Sequence, residues 1–279
     1  MTYKNIVVHV DSSERCGARI DYAAQLAQRF DAHLIGLYTL IPFEVPGYIR
    51  AHIGEDVSRE QAARARKDAE AALDRFSERV RRGGNARVES RIAVGEPVEA
   101  TSLHARYADL VVVGQSDRGA SVGVMTPESF PELLALTCGR PIVMVPFTGT
   151  VQAAGERVLI AWNASREATR AVTDALPMLQ KAKQVTVVVV NPKPNDAHGQ
   201  QPGADLSLYL ARHGVVVEAS VTHAPDIDIG SLLVSRVAEL DADLLVMGCY
   251  GHSRLRELVL GGVTRSVLGQ MTVPVLLSH

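Results

Sequence analysis

Short runs of valine, isoleucine and leucine alternate along this chain with longer stretches whose apolar positions recur every three or four residues. Continuous apolar runs of that length suit strands buried on both faces, and the intervening pattern suits helices that cover them. In the first half the pattern predicts strands near Asn5 to Val10, Ala32 to Leu40, Arg87 to Val94, Leu110 to Gly114 and Ile142 to Pro146. The second half repeats the series at Arg157 to Ala161, Gln184 to Val190, Val215 to Thr222, Leu244 to Gly248 and Val273 to Leu277. Of the helices, Arg59 to Arg82 is the clearest, with Ala62, Ala65, Ala69, Ala72, Leu73, Phe76 and Val80 at helical spacing. Its charged residues read as the solvated outer face of that helix.

The two halves echo each other in sequence as well as in pattern. Ile6 to Ser13 resembles Val158 to Ser165, Ala108 to Gly114 parallels Ala242 to Gly248, and Arg140 to Val145 parallels Val273 to Leu277. The offset falls from 152 at the first landmark to 134 and 133 at the later ones, so the first half carries extra residues. Pro42 to Arg59, punctuated by Pro and Gly and without a clean period, is the candidate insert. A polar run from Phe147 to Glu156 marks the boundary between two units, 1–149 and 150–279. The expected architecture is α/β, two tandem doubly wound five-stranded parallel-sheet domains.

Composition narrows the chemistry. A chain of 279 residues has room for two cores, and 47% hydrophobic residues with few aromatics fit aliphatic α/β interiors. A net charge of −2 argues against a general nucleic-acid binder. No unbroken apolar span reaches membrane length, and the start Met1-Thr2-Tyr3-Lys4-Asn5 runs directly into a strand, so neither an anchor nor a leader is expected. Three scattered cysteines, Cys16, Cys138 and Cys249, suit free thiols and a cytoplasmic protein.

Candidate chemistry concentrates in the second half. The run Leu244-Leu245-Val246-Met247 ends at Gly248-Cys249-Tyr250-Gly251, and a second cluster follows at Gly261-Gly262-Val263-Thr264 before a helix expected from about Val263. Glycines admit close approach of backbone to a ligand, and the amides of such turns and of a helix start form a concavity suited to phosphate oxygens. Sites in doubly wound sheets lie beyond the C-terminal strand ends. There Ala161 to Asn163, the loop Pro192 to Gly203, His223-Ala224-Pro225 and the glycine turn should converge.

Two tandem units, each with a first strand ending in Asp or Asn, an Ala-Asp-Leu strand running into Gly and a closing strand with Pro, resemble the universal stress protein family over nearly the whole chain. Gly248, Gly251 and Gly261 match the Gly-x2-Gly-x9-Gly spacing of its ATP-binding members. Gly262 stands where the family has a hydroxyl or amide residue, with Thr264 two positions on as a substitute. By this resemblance Ala161, Trp162 and Asn163, with Val189 or Val190, lie near adenine and ribose. Met247, Gly248 and Gly251 reach the ribose and the α- and β-phosphates, and Gly261, Gly262, Val263 and Thr264 the β- and γ-phosphates. His252, Arg254 and Arg265 are neighbouring donors, each equally at home as an exposed side chain.

The implied cofactor is ATP, with or without magnesium, held in the second half only. The first half keeps Asp11 but follows Gly114 with Gln115, Ser116 and Asp117, and later has Pro127-Glu128-Ser129 in place of glycines. A carboxylate there repels phosphate. No Walker sequence or His-x3-His pair occurs, and in Gly114-Gln115-Ser116-Asp117-Arg118-Gly119 the second glycine comes one residue too late for a Gly-x-Ser-x-Gly elbow, so a P-loop enzyme, a serine hydrolase and a metal centre are not expected. His9 reads as a hydrogen-bonded core residue, and Cys249 as a small inert side chain with a redox role as the sharper option.

Two functions stay open. One is a stress protein that binds ATP or another adenine nucleotide as a conformational ligand, with at most slow hydrolysis. The other is a scaffold or small-ligand binder acting through protein partners, with Phe43, Val45, Tyr48 and Ile49 of the insert covering a cavity or a partner. The family's habit of pairing last strands implies that Ile142 to Val145 and Val275 to Leu277 join antiparallel within the chain. A homodimer is a further option.

Overall fold

The computed structural model describes residues 2–42, 55–84, 87–116, 129–148, 155–192, 201–249, 251 and 262–279. Its strands are β1 Asn5–Val10, β2 His33–Leu40, β3 Val88–Val94, β4 Leu110–Gly114 and β5 Ile142–Val145 in the first half. In the second half they are β6 Arg157–Ala161, β7 Gln184–Val190, β8 Val217–Thr222, β9 Leu244–Gly248 and β10 Val275–Ser278. Every strand expected from the apolar runs is present, with bounds moved by one or two residues. Proline explains one shift: Pro274 has no N–H to give a ladder, so β10 begins after it, although its carbonyl still accepts from Leu245 N at 3.0 Å.

The helices among the described residues are α1 Cys16–Phe30, α2 Glu55–Arg82, α3 Pro97–Ala105, α4 Phe130–Thr137, α5 Arg166–Leu179, α6 Ala204–Arg212, α7 Ile229–Glu239 and α8 Gly262–Gln270. The long first-half helix starts at Glu55 rather than near Arg59, so the end of the Pro42 to Arg59 stretch is helical. The polar sequence of that first turn offers no apolar period to detect. Residues 43–54 of the stretch lie outside the described residues, as do 149–154 of the boundary and 193–200 of the second-half loop.

All ten strands form one sheet in the order β3-β2-β1-β4-β5-β10-β9-β6-β7-β8. Pairing is parallel within each half, and the halves meet at β5 and β10, which run antiparallel with Val275 opposite Met144, Leu276 opposite Val143 and Leu277 opposite Ile142. The expected intrachain pairing of the last strands is therefore present. Side chains alternate between the faces, giving two cores. Ile6, Val8, Leu276 and Val187 pack beneath α1, α2, α5 and α6. Val7, Met144, Leu277 and Val188 pack beneath α3, α4, α7 and α8.

Polar contacts lock the seam on both sides. Tyr3 donates to the Asp174 carbonyl at 2.6 Å, and Lys181 Nζ to the Arg29 carbonyl at 2.7 Å. On the opposite face Gln115 Nε2 donates to the Leu268 carbonyl at 2.7 Å while its Oε1 accepts from Phe147 N. A continuous sheet with a fully buried seam should unfold as one unit. Met144→Ala, which truncates a side chain with no exposure, should destabilise the protein by about 2–5 kcal/mol. Urea denaturation followed by circular dichroism and by Trp162 fluorescence should show the two probes moving together; separate midpoints would contradict a single unit.

Candidate functional site

Beyond the C-terminal ends of the second-half strands lies a cavity of ≈ 380 Å³. Strand ends form its floor: Ala161 at the end of β6 and Trp162 just after it, Val188 and Val190 on β7, Met247 and Gly248 on β9. The glycine turn contributes Gly251, and the first turn of α8 contributes Gly262, Val263 and Thr264. Opposite stand Ile229 and Leu233, one turn apart on α7. The first turn of any helix carries amides without intrahelical acceptors, so α8 offers the cavity donors as well as side chains.

Local chemistry fixes the walls. Asn163 Oδ1 accepts from Ser165 N at 3.1 Å, an Asx turn, and Ser165 Oγ caps α5 by accepting from Ala168 N at 3.1 Å. Asp228 caps α7 through Ser231 N at 2.8 Å and takes a hydrogen bond from Ser266 of α8 at 2.6 Å, which ties the two helices together. The Ser266 bond leads the contacts that hold the Asp228 carboxyl below its ordinary range. Asn191 brackets Ala224, accepting from its amide at 2.7 Å and donating to its carbonyl at 3.2 Å, so the loops after β7 and β8 do meet.

Of the expected site residues, Ala161, Trp162, Asn163, Val190, Met247, Gly248, Gly251, Gly262, Val263 and Thr264 line this cavity. Val189 does not: it belongs to the core under α5 and α6, since neighbouring strand residues face opposite ways. His252, Arg254 and Gly261 lie outside the described residues, and Arg265 is exposed on α8. Cys249 is fully buried. Ser165, Glu167, Val188, Ile229 and Leu233 also line the cavity and were not anticipated. A helix-start pattern at Ser165 was readable, but the burial of Glu167 was not.

Gly248 is required by packing. A Cβ there would stand 2.5 Å from the Glu167 carbonyl carbon and closer still to the Ala168 nitrogen. Glu167 itself has a side chain only 3% exposed, with Oε1 accepting from the Arg166 Nε at 2.8 Å. Burial works to raise its carboxyl, yet the hydrogen bonds from Arg166 and the helix-start backbone outweigh that and hold it below its ordinary range.

The matching crevice of the first half is arranged differently. Arg19, buried on α1, donates from Nε to the His9 carbonyl at 2.7 Å and pairs with Asp11 Oδ2 at 2.9 Å. Its Nη1 stands 2.5 Å from where a Cβ on Gly114 would be. Burial works to raise the Asp11 carboxyl, but Arg19, His9 and hydrogen bonds from Ser13 drive it well below its ordinary range. Burial first, and then the Arg19 charge, push the His9 imidazole down to about 4. Its ring rests 4.7 Å from that of Phe130 and its Nε2 lies 3.4 Å from Thr39 Oγ1, a core setting as expected. Asp117, Pro127 and Glu128 lie outside the described residues.

Among the described residues no cluster of three or more His, Cys, Asp or Glu is placed to hold a metal, and no helix is long and apolar enough to cross a membrane.

A curated relative, the universal stress protein Slr1230 of Synechocystis, is 40% identical over 74 residues, 26% of this chain and 24% of that protein's length. A solved universal stress protein from Archaeoglobus fulgidus superposes with TM-score 0.74 at 17% identity, covering 98% of this chain and 95% of its own. Another, solved in complex with cAMP, is 27% identical and covers 52% of this chain and 98% of its own, with TM-score 0.39.

Gly248→Ala forces backbone of α5 away from β9 and should destabilise the protein by about 1–3 kcal/mol in urea titrations. His9 titrates near 6.5 when unfolded and about 4 when folded, so the unfolded state binds the extra proton between those values and stability falls as pH drops through them. Between pH 7.5 and 5 the loss should be about 2 kcal/mol, and His9→Gln should remove that part of the slope. An unchanged slope would count against it.

Residues 2–146 and 155–279 each match the Universal stress protein family, and the chain belongs to that family.

Proposed function

We propose that the second unit, residues 150–279, binds an adenine nucleotide, ATP in the first instance, in the cavity beyond β6, β7 and β9. The observation that carries this reading is the convergence of Gly248, Gly251, Gly262 and Thr264 on a single cavity with a helix start facing it. Its ≈ 380 Å³ volume lies within the usual range for small-ligand sites. The apolar floor of Val188, Val190 and Met247 suits a flat base, and the glycine side suits phosphates. The nucleotide acts as a conformational ligand that stabilises the surrounding loops and alters contact with a protein partner in the cytoplasm. Hydrolysis is slow at most.

The first unit, residues 1–149, takes no nucleotide in this proposal. The buried Arg19 and Asp11 pair supports that reading, because it occupies the ground next to Gly114.

Ligand that binds only the folded state raises its stability, by about 2.7 kcal/mol at a hundredfold excess over Kd. Millimolar ATP should therefore raise the thermal midpoint of the full chain. Val190→Arg, which projects a long side chain from the cavity floor, should abolish that rise while leaving the ligand-free midpoint within a few degrees. No rise for the wild-type protein would overturn the proposal. Release of a different small molecule from freshly purified, denatured protein, identified by mass, would replace ATP with that ligand.

A further inference from the structure

Strand pairing leaves the two ends of the sheet open. The order of strands finishes at β3 on one side and at β8 on the other, so among the described residues each has a strand neighbour along one edge only. β3 carries charge there: Glu89 and Arg91 stand on it as an ion pair at 2.6 Å, with His33 Nε2 of β2 3.4 Å from the Glu89 carboxylate. Charges of that kind discourage a further strand from adding. β8 has no such guard. Val217 to Thr222 contain no lysine, arginine or proline, and their one charged side chain, Glu218, accepts from Thr186 Oγ1 of β7 at 3.0 Å.

The direction in which β8 offers its backbone follows from its pairing with β7. Val185 N donates to the Val216 carbonyl and Asn191 N to the Thr222 carbonyl, both at 2.9 Å. Val185 stands opposite Val217 and Val189 opposite Val221, and in that register a parallel ladder turns the backbone of Glu218, Ser220 and Thr222 towards β7. Val217, Ala219 and Val221 therefore point their N–H and C=O groups away from the sheet. Apolar surface accompanies this bare backbone: Val216 is 60% exposed, Val221 41%, and Leu208 on α6, the helix that packs on β8, 52%. An edge with both features invites a further strand.

The sequence of β8 suits a second β8 as that strand. In an antiparallel pair centred on Ala219 all three outward-facing residues are engaged: Ala219 meets its twin, and Val217 and Val221 of one copy meet Val221 and Val217 of the other. Glu218 falls opposite Ser220, so no carboxylate opposes another. Such a surface is complementary to itself, which a twofold axis requires and a foreign strand does not. The chain already uses this device at its centre, where β5 and β10, the last strands of its two halves, join antiparallel.

We infer that β8 is a dimer interface, at which two copies of this chain pair edge to edge about a twofold axis through Ala219 and make their sheets continuous. The inference is independent of the nucleotide reading, and its test contains no nucleotide.

Analytical ultracentrifugation of the full chain provides that test. At about 100 µM the wild type should sediment with twice the mass of one chain. Ala219→Pro removes an N–H that β7 does not use, so the circular dichroism spectrum should persist while the affinity of the dimer falls by roughly tenfold or more. Val221→Lys, which adds a charge to the edge, should act in the same way. Cysteines report the register: residues bonded across the axis lie about 5.5 Å apart at Cα, within disulfide range, so Ala219→Cys should cross-link to its twin on mild oxidation. Val221→Cys should not, because its twin lies four residues further along, roughly 13 Å away. A wild type that stays monomeric would overturn the inference and leave the edge to a strand of another protein. Dimers of wild-type affinity in both folded variants, or cross-linking of Val221→Cys as readily as of Ala219→Cys, would overturn it as well.

Discussion

In the second half the first turn of α5 lies directly on the end of β9, with no side chain between them. Gly248 allows this because a Cβ would collide with the backbone of Glu167 and Ala168. Fully or nearly buried alanines at 168, 171 and 175 let the rest of the helix follow the strand just as closely. The cavity is a consequence of that contact. It sets the Ser165 cap beside the strand ends, draws Glu167 out of solvent and leaves the space between α5 and α8 open. A carboxylate at a helix start is normally solvated and welcome there. Here the backbone approach carries it inward, so an ordinary helix-start residue becomes part of a cavity wall.

The first half meets the same junction with the opposite solution. Where α5 has Ala171, the repeat places Arg19 in α1, and its guanidinium fills the ground next to Gly114. A buried cation requires partners, and the carboxylate of Asp11 and the His9 carbonyl supply them. His9 in turn has to stay neutral, since a charged imidazole would sit buried beside Arg19. Loss of the glycine turn and gain of the buried pair therefore belong to one change of design. Asp11 and Asn163 show how local roles survive it: each accepts from the serine amide two residues on and shapes the same turn, whatever lies beyond.

Much of this was legible from residue pattern because the sheet is parallel within each half and its central strands are buried on both faces. The central strands then read as continuous apolar runs, only the edge strands β3 and β8 are mixed, and all ten lie within two residues of the expected bounds. The repeat supplied the two halves, and the glycine spacing supplied most of the cavity. What escaped was anything set by a contact distant in sequence. Parity along β7 could not be fixed from Val187 to Val190 alone, since all four positions are valine, and so Val189 was grouped with Val190 although it faces the opposite core. Ile229 and Leu233 have the four-residue spacing of any amphipathic helix, which singles out no cavity. The burial of Glu167 depends on Gly248, eighty-one residues away, and no local pattern carries it.

The glycines do not all carry the same weight. Gly114 and Gly248 occupy matching positions, and each is demanded by packing, against Arg19 in one half and against the α5 backbone in the other. That glycine therefore belongs to the fold and says little about a ligand. Gly262 is different. A Cβ there would meet nothing within 4 Å among the described residues. Packing gives no reason for it, yet it opens α8 at the rim of the cavity. Bare backbone at that rim leaves room for something that enters from outside, and so the case for a ligand rests more on Gly262 than on Gly248.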